Sequence, residues 1–164
     1  GPDYQSDHVD VGGLLATILD NAEHRLRDAG ITLTRHLPKH TVEVVADATR
    51  LEQLFSNLIE NTIRYTDTPG SLYVSCGVGS DAVDIEFADS APGVPGHALG
   101  RLFDRLFRVD TSRSRDTGGS GLGLSICKAI VDTHGGTIEA MDADAGGLLI
   151  RIRLPLAHAR GTTS

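Results

Sequence analysis

Asn57 and Asn61 stand four residues apart in NLIENTIRYTD (57–67), with Arg64 and Tyr65 on the following turn. At about 100° per residue, Asn57, Asn61 and Arg64 share one narrow stripe of a helix, and Tyr65 sits where that stripe borders the apolar face. Asparagine is a poor helix former because its amide competes for backbone hydrogen bonds, so two on one stripe need a reason. Amide oxygens are neutral, hard ligands that suit Mg²⁺ when phosphates and waters supply the rest of its shell. A guanidinium forks onto phosphate oxygens, and a tyrosine ring can cover a purine. The stripe reads as a site for a magnesium nucleotide. Taken alone, it also fits a solvated helix face that happens to be polar.

Two further segments carry chemistry. GGSGLGLS (118–125) places Gly118, Gly119, Gly121 and Gly123 at the opening of a helix. Glycines let backbone N–H groups close on phosphate, and the helix N-terminus adds its dipole; a flexible loop ahead of a helix would look the same. No lysine follows these glycines, which excludes the GxxxxGK[ST] phosphate loop, and Leu124 stands where a third glycine of GxGxxG would be. Five arginines fall between 101 and 115 in a chain of net charge −7, which fits a polyvalent anion or a solvated basic patch. Asp89 ends an apolar strand. Its carboxylate could accept a hydrogen bond from the exocyclic amine of adenine and reject the carbonyl of guanine, with Gly93 permitting close approach of the ring. A turn-initiating aspartate before Ser-Ala-Pro-Gly is the plainer alternative.

The elements that must position these residues follow from periodicity. Residues 10–29 have a helical stripe at 11, 14, 15, 18, 22 and 26, with Asp10 as N-cap and Gly30 as stop. Residues 31–37 and 41–47 alternate as strands, and Asp47 can cap a helix over 48–66 that buries Leu51, Leu54, Phe55, Leu58, Ile59 and Thr62. A hairpin follows over 71–78 and 82–89, then a short helix near 97–103 and a loop over 108–120. A helix from 121 stops at Gly135-Gly136, and two strands meeting around DAGG close the chain. Strands arriving in pairs favour a mixed, largely antiparallel sheet with helices over one face.

Composition bounds the rest. With 164 residues, 40% hydrophobic and 23% charged, the chain can bury one core. The negative charge argues against a general nucleic-acid surface. No apolar run approaches the ~18 residues of a membrane span, so no membrane contact is expected. Cys76 and Cys127 lie in apolar surroundings and read as buried, reduced thiols. Residues 1–9 are expected to be a cleavage scar and linker, 10–156 the folded domain, and 157–164 a disordered tail. The start DYQSDHVD looks like a cut within a longer protein.

In order and spacing, these segments resemble the catalytic, ATP-binding domain of sensor histidine kinases, of the GHKL superfamily. NLIENTIRYT is similar to the N box, DSAPGV to the first glycine box, LFDRLFRVD to the F box and GGSGLGLSI to the second glycine box. The resemblance implies a two-layer α/β sandwich (the Bergerat fold), a mixed and largely antiparallel sheet with three main helices on one face. It implies ATP and Mg²⁺ as ligands. Asn61 would hold the metal with Asn57 beside it, and Arg64 would face the phosphates. Tyr65 would pack on adenine, and Asp89 would bind its amine with Gly93 nearby. Arg105 and Arg108 would serve the phosphates, Arg108 at the γ-phosphate. Gly119, Ser120, Gly121, Leu122 and Gly123 would border the triphosphate, with 108–120 as the lid. Asn57, Asn61 and Arg108 are the candidate catalytic residues.

The implied reaction is transfer of the γ-phosphate to a histidine on a separate dimerisation domain of the same parent protein, with a response regulator downstream. This domain would lie in the cytoplasm, and the parent in the bacterial inner membrane. A GHKL ATPase or clamp module, and a non-catalytic nucleotide-binding regulatory module, are the competing readings. Where hydrolytic relatives carry a glutamate one turn before the metal asparagine, this chain has Asn57, which cannot act as a base. None of the seven histidines sits in the phosphoacceptor pattern, so all read as surface or capping residues and the chain should not phosphorylate itself. Ala91 in place of the first glycine of DxGxG, and Leu106 where an aromatic is common, depart from the family pattern.

Overall fold

Leu15, Leu19, Ala22 and Leu26 recur at helical spacing and are buried, so the first apolar stripe folds as α1 (Val11–Asp28) against the rest of the chain. The computed structural model describes residues 4–90, 92–93, 96–104 and 122–161. In chain order, β1 (Asp7–Asp10) precedes α1. After it come β2 (Ile31–His36), β3 (Glu43–Ala46), α2 (Ala48–Tyr65), β4 (Gly70–Val78) and β5 (Ala82–Ser90). The short α3 (Gly96–Leu99) follows, then α4 (Leu122–Thr133), β6 (Thr137–Asp142), β7 (Gly146–Pro155) and α5 (Ala157–Gly161).

Five strands form one sheet in the order β2-β4-β5-β7-β6. Every pairing in it is antiparallel except β2 with β4, which is parallel, with Ile31 opposite Gly70 and His36 opposite Ser75. β2 therefore pairs across the intervening α2 and not with its sequence neighbour. β3 leaves the sheet to form a separate two-stranded ribbon with β1, Asp7 opposite Ala46. One face of the sheet packs on the helices. Leu72, Val74, Val83, Ile85, Phe87 and Ile152 are buried beside Leu54 and Phe55 of α2, and the Phe55 and Phe87 rings stack at 6.2 Å. Each such large side chain contributes about 1.5–3 kcal/mol by leaving water. On the other face the alternate positions carry charge. Arg153 donates to Asp84 at 2.8 Å and Arg151 to Glu86 at 2.7 Å.

Several expectations need correction. Asp10 precedes α1, but its side chain makes no cap bond; it accepts instead from the Val42 N–H at 3.0 Å, tying the helix start to the β3 approach. Residues assigned to a linker include β1, and Gln5 N–H donates to Asp47 at 2.9 Å. The tail expected to be disordered from 157 begins as α5, with Leu156 and Ala157 buried. His134 is not a surface residue: it is 2% exposed.

Candidate functional site

Asp47 accepts from Arg50 N–H at 3.2 Å and so starts α2. The helix buries Leu51, Leu54, Phe55, Leu58, Ile59 and Thr62, the set its sequence predicts, and that burial fixes which way the other stripe faces. Asn57, Asn61, Arg64 and Tyr65 are each half-buried along it.

α4 runs antiparallel to α2 and touches it at three levels. At the far end, His134 Nε2 accepts from Asp47 N–H at 3.1 Å, which leaves Nδ1 to donate to Ile130 O at 2.7 Å. Midway, Cys127 Sγ lies 3.8 Å from Leu54 O, and the Asn57 side chain hydrogen-bonds the same sulfur. At the near end, a Cβ added to Gly123 would lie 3.8 Å from Asn61 Oδ1. The last glycine of GGSGLGLS thus faces the second asparagine of the stripe at van der Waals distance. Burial pushes the Cys127 thiol up to about 12, so it stays protonated; Cys76, also buried, is raised to about 11. Both cysteines are free.

The other half of the site forms where α2 ends. Thr66 is its C-cap, buried close to the Asp89 carboxylate at the end of β5. Asp89 Oδ1 also accepts from Leu148 N–H of β7 at 2.8 Å. Burial raises the Asp89 carboxyl to about 6, against the lowering pull of the Leu148 N–H and the Thr66 hydroxyl. Glycine is required beside it: a Cβ at Gly147 would collide with Asp89 O, Asp89 Oδ1 and Ser90 O. Gly93 is also held by backbone, since a Cβ there would lie 2.9 Å from Gly146 O. Its freedom serves packing against the β6–β7 turn, in addition to any approach of a ring.

Asn61 and Thr66 are five residues apart, about 7.5 Å along the helix axis. One helix therefore carries a half-buried amide facing a glycine at one level and comes close to a half-buried carboxylate at its end. Among the described residues, the Asn61 amide has no hydrogen-bond partner, and no cluster of three or more His, Cys, Asp or Glu could hold a metal. A neutral oxygen without a carboxylate cage suits a cation held mainly by phosphates and water. Leu122 begins α4. Arg105, Arg108, Gly119, Ser120, Gly121, Ala91, Leu106 and the 108–120 segment lie outside the described residues.

Sequence reasoning missed the partners of Asp89. Thr66 directly follows Tyr65 and was legible as the next residue at the helix end, and the Gly146-Gly147 pair marks a close approach. The Leu148 donor is a backbone group, which no residue type announces. His134 was missed because a polar residue at a helix end ordinarily reaches solvent.

Among the described residues, no helix is long and apolar enough to cross a membrane. The chain is 45% identical over 153 residues to the signal transduction histidine-protein kinase BaeS of Escherichia coli K12, covering 93% of this chain and 32% of that protein. It is 32% identical to the sensor histidine kinase CpxA of the same organism, covering 92% and 33%. The chain spans about a third of the length of these relatives. Its fold matches the nucleotide-free catalytic domain of the histidine kinase ThkA with a TM-score of 0.82 at 25% identity, over 93% of this chain and 97% of that one. With the sandwich, the facing Asn61 and Gly123 and the half-buried Asp89 in place, the match of residues 46–158 to the histidine kinase-, DNA gyrase B- and HSP90-like ATPases makes this chain a member of that family.

Proposed function

We propose that this chain is the ATP-binding catalytic domain of a sensor histidine kinase, transferring the γ-phosphate of Mg-ATP to a histidine on a dimerisation domain outside it. The observation that carries this reading is the pairing of a metal end and a base end on one helix. Asn61 faces Gly123, and Thr66 reaches Asp89 a turn and a half later. Asp89 keeps acceptor capacity beyond its bond to Leu148 and takes the adenine amine; a guanine carbonyl there would set acceptor against acceptor. Tyr65, on the last turn of α2, covers the base. Arg64, with Arg105 and Arg108, pairs with the phosphates.

Mg²⁺, when bound, would offset the negative charge of the phosphates. Asn61 would hold it, through an oxygen with no protein partner among the described residues. Asn57 would stand beside it, since an amide that donates to the Cys127 sulfur through Nδ2 keeps Oδ1 for a cation. Gly119, Ser120, Gly121, Leu122 and Gly123 border the phosphates, where backbone N–H groups at the start of α4 suit anions. Asn57 cannot take a proton from water, so the site orients phosphate for an external nucleophile and favours transfer over hydrolysis.

The partners are the dimerisation domain of the same parent and, beyond it, a response regulator. The parent is a membrane sensor with this domain on the cytoplasmic side. Incubating the chain with Mg-ATP, with and without a purified acceptor domain from the parent, tests the reading. Acid-labile phosphohistidine that depends on both proteins is expected. Sustained phosphate release without the acceptor would overturn it in favour of an ATPase.

A further inference from the structure

One residue of β5 lies opposite two of β7 at the end where Asp89 stands. Ala88 pairs with Leu149 and Ser90 with Gly146, so Asp89 faces both Gly147 and Leu148 across a β-bulge. A bulge leaves a residue outside the regular ladder and can re-aim a group beside a site. Here the Leu148 N–H turns to a side chain and donates to Asp89 Oδ1 at 2.8 Å. The bulge is built on glycine. Gly146 has a φ of +94°, in the left-handed region that other residues avoid. A Cβ at Gly147 would collide with Asp89 Oδ1 and with the Asp89 and Ser90 carbonyls. Two bonds close the turn behind it, Gly146 N–H to Ala143 O at 3.0 Å and Ala143 N–H to Gly147 O at 2.9 Å. The same turn abuts Gly93, whose added Cβ would lie 2.9 Å from Gly146 O and 3.3 Å from Gly147 O. Asp89 and Gly93 therefore rest on one turn.

We propose that the β7 bulge determines base specificity, with Leu148 N–H as a positioning group that pins Asp89 Oδ1 so that the rest of the carboxylate is presented to the exocyclic amine of adenine. This deepens, and rests on, the reading of Asp89 as the adenine acceptor. A carboxylate has two oxygens and about four acceptor sites, so one bond from the backbone fixes its orientation and leaves sites for a ligand. An N–H held in a sheet is a better anchor than a mobile side chain, because it loses no rotamer freedom when the base arrives. Its bond to an ionised acceptor is also stronger than one between neutral groups, and favours the charged form that accepts from the amine. Gly147 completes the device. Its lack of a side chain lets the carboxylate lie directly against β7, close enough for the bond to form. The role belongs to the backbone, so the Leu148 side chain is free to pack against the core.

The test is calorimetric titration with two nucleotides, ATP and the triphosphate of purine riboside, which lacks the six-amine. The ratio of their affinities reads the amine contact alone, and a general loss of structure would lower both affinities together. Replacing Leu148 by its α-hydroxy analogue turns the 147–148 amide into an ester and deletes the N–H without changing a side chain. Gly147→Ala displaces the carboxylate by contact instead, so either variant answers if the other does not fold. Each should lower the preference for ATP by about ten-fold and leave the affinity for the analogue within about two-fold of wild type. An ester also weakens the Gly147 carbonyl as an acceptor from Ala143 N–H. The α-hydroxy analogue at Ala143 loses that same turn bond but keeps Leu148 N–H, and should leave the preference unchanged. On an Asp89→Ala background the Leu148 ester should add nothing to the ratio, because the two groups act as one unit. A wild-type ratio in the Leu148 ester, or equal losses for both nucleotides, would overturn the inference. If Asp89→Ala itself keeps the wild-type ratio, the adenine reading fails; if it abolishes the preference while the ester does not, only the role of the bulge fails.

Discussion

Replacing Asp89 with asparagine should make the unliganded protein more stable while making it a poorer ATP binder. The structure gives the size of the first effect. Burial lifts the carboxyl from an ordinary 3.8 to about 6. Two units or so, at 1.36 kcal/mol each, amount to about 3 kcal/mol of folding free energy forfeited when the group ionises in its native site. The sign follows from proton counting. Between pH 3.8 and 6 the folded state holds the proton that the unfolded state has released, so stability falls as pH rises through that window and stays low above it. Asparagine never ionises. Its Oδ1 can still accept from Leu148 N–H, and its amide can donate to the Thr66 hydroxyl. The variant should exceed wild type by about 1 kcal/mol at pH 4.5 and about 3 kcal/mol at pH 7.5, the larger figure being a ceiling. Urea unfolding at both pH values, with unchanged m, measures it. ATP affinity should fall roughly 10- to 100-fold, since one buried acceptor is replaced by a donor. Equal stability of the two proteins at pH 7.5, or a difference that does not change with pH, would refute the claim that Asp89 is held charged at a cost.

Other consequences can be measured on the same material. Asn61→Ala should abolish the Mg-dependent part of ATP affinity, read by titration with and without chelator, and leave the urea midpoint within about 0.5 kcal/mol of wild type because its amide supports nothing in the described fold. Wild-type ATP affinity should decline as pH drops through about 6, where Asp89 takes up its proton; a flat profile from pH 5 to 8 would count against its role. His134→Ala should destabilise by about 1–3 kcal/mol in urea, since it strands the buried Asp47 N–H, while Ile130 C=O keeps its bond from the backbone N–H of residue 134. Arg35→Ala, which removes exposed bridges from β2 to Asp20 and Glu23 of α1, should cost under about 1 kcal/mol by the same assay.

How much of this was legible beforehand depends on whether an element is specified locally. α2 was legible in full: its cap, its buried set and its polar stripe all follow from residue spacing, and the cap bond and buried residues appear where the spacing puts them. The β4–β5 hairpin was legible for the same reason, its closing bond running from Gly79 N–H to Ala82 O at 2.9 Å. β2 beside β4 was not, because parallel pairing across a helix is decided by packing and not by the strand itself. β1 has four residues, two of them Asp and one His, and gains strand geometry only from β3. α5 reads as a polar tail until Leu156 and Ala157 are seen to be covered. In the candidate site, side chains can be picked out by residue type and backbone groups cannot. Asn57, Asn61 and Asp89 announce themselves by type, whereas Leu148 N–H lies 59 residues from its acceptor and carries no mark in the sequence.

The geometry also bears on why Asn57 sits where a base would be needed for hydrolysis. Its side chain lies at the seam between α2 and α4, with its amide N–H₂ end toward the Cys127 sulfur that approaches Leu54 O. A glutamate at 57 would have to place a charge beside a thiol that burial already keeps protonated, and the seam would lose a neutral donor for an unpaired anion. The residue thus serves the alignment of α4 on α2, which in turn sets how Gly123 meets Asn61. On the proposed reading, a domain that hands its phosphate to another protein gains nothing from activating water. Its first asparagine can then hold the helix pair in register while the second keeps its oxygen free for the metal.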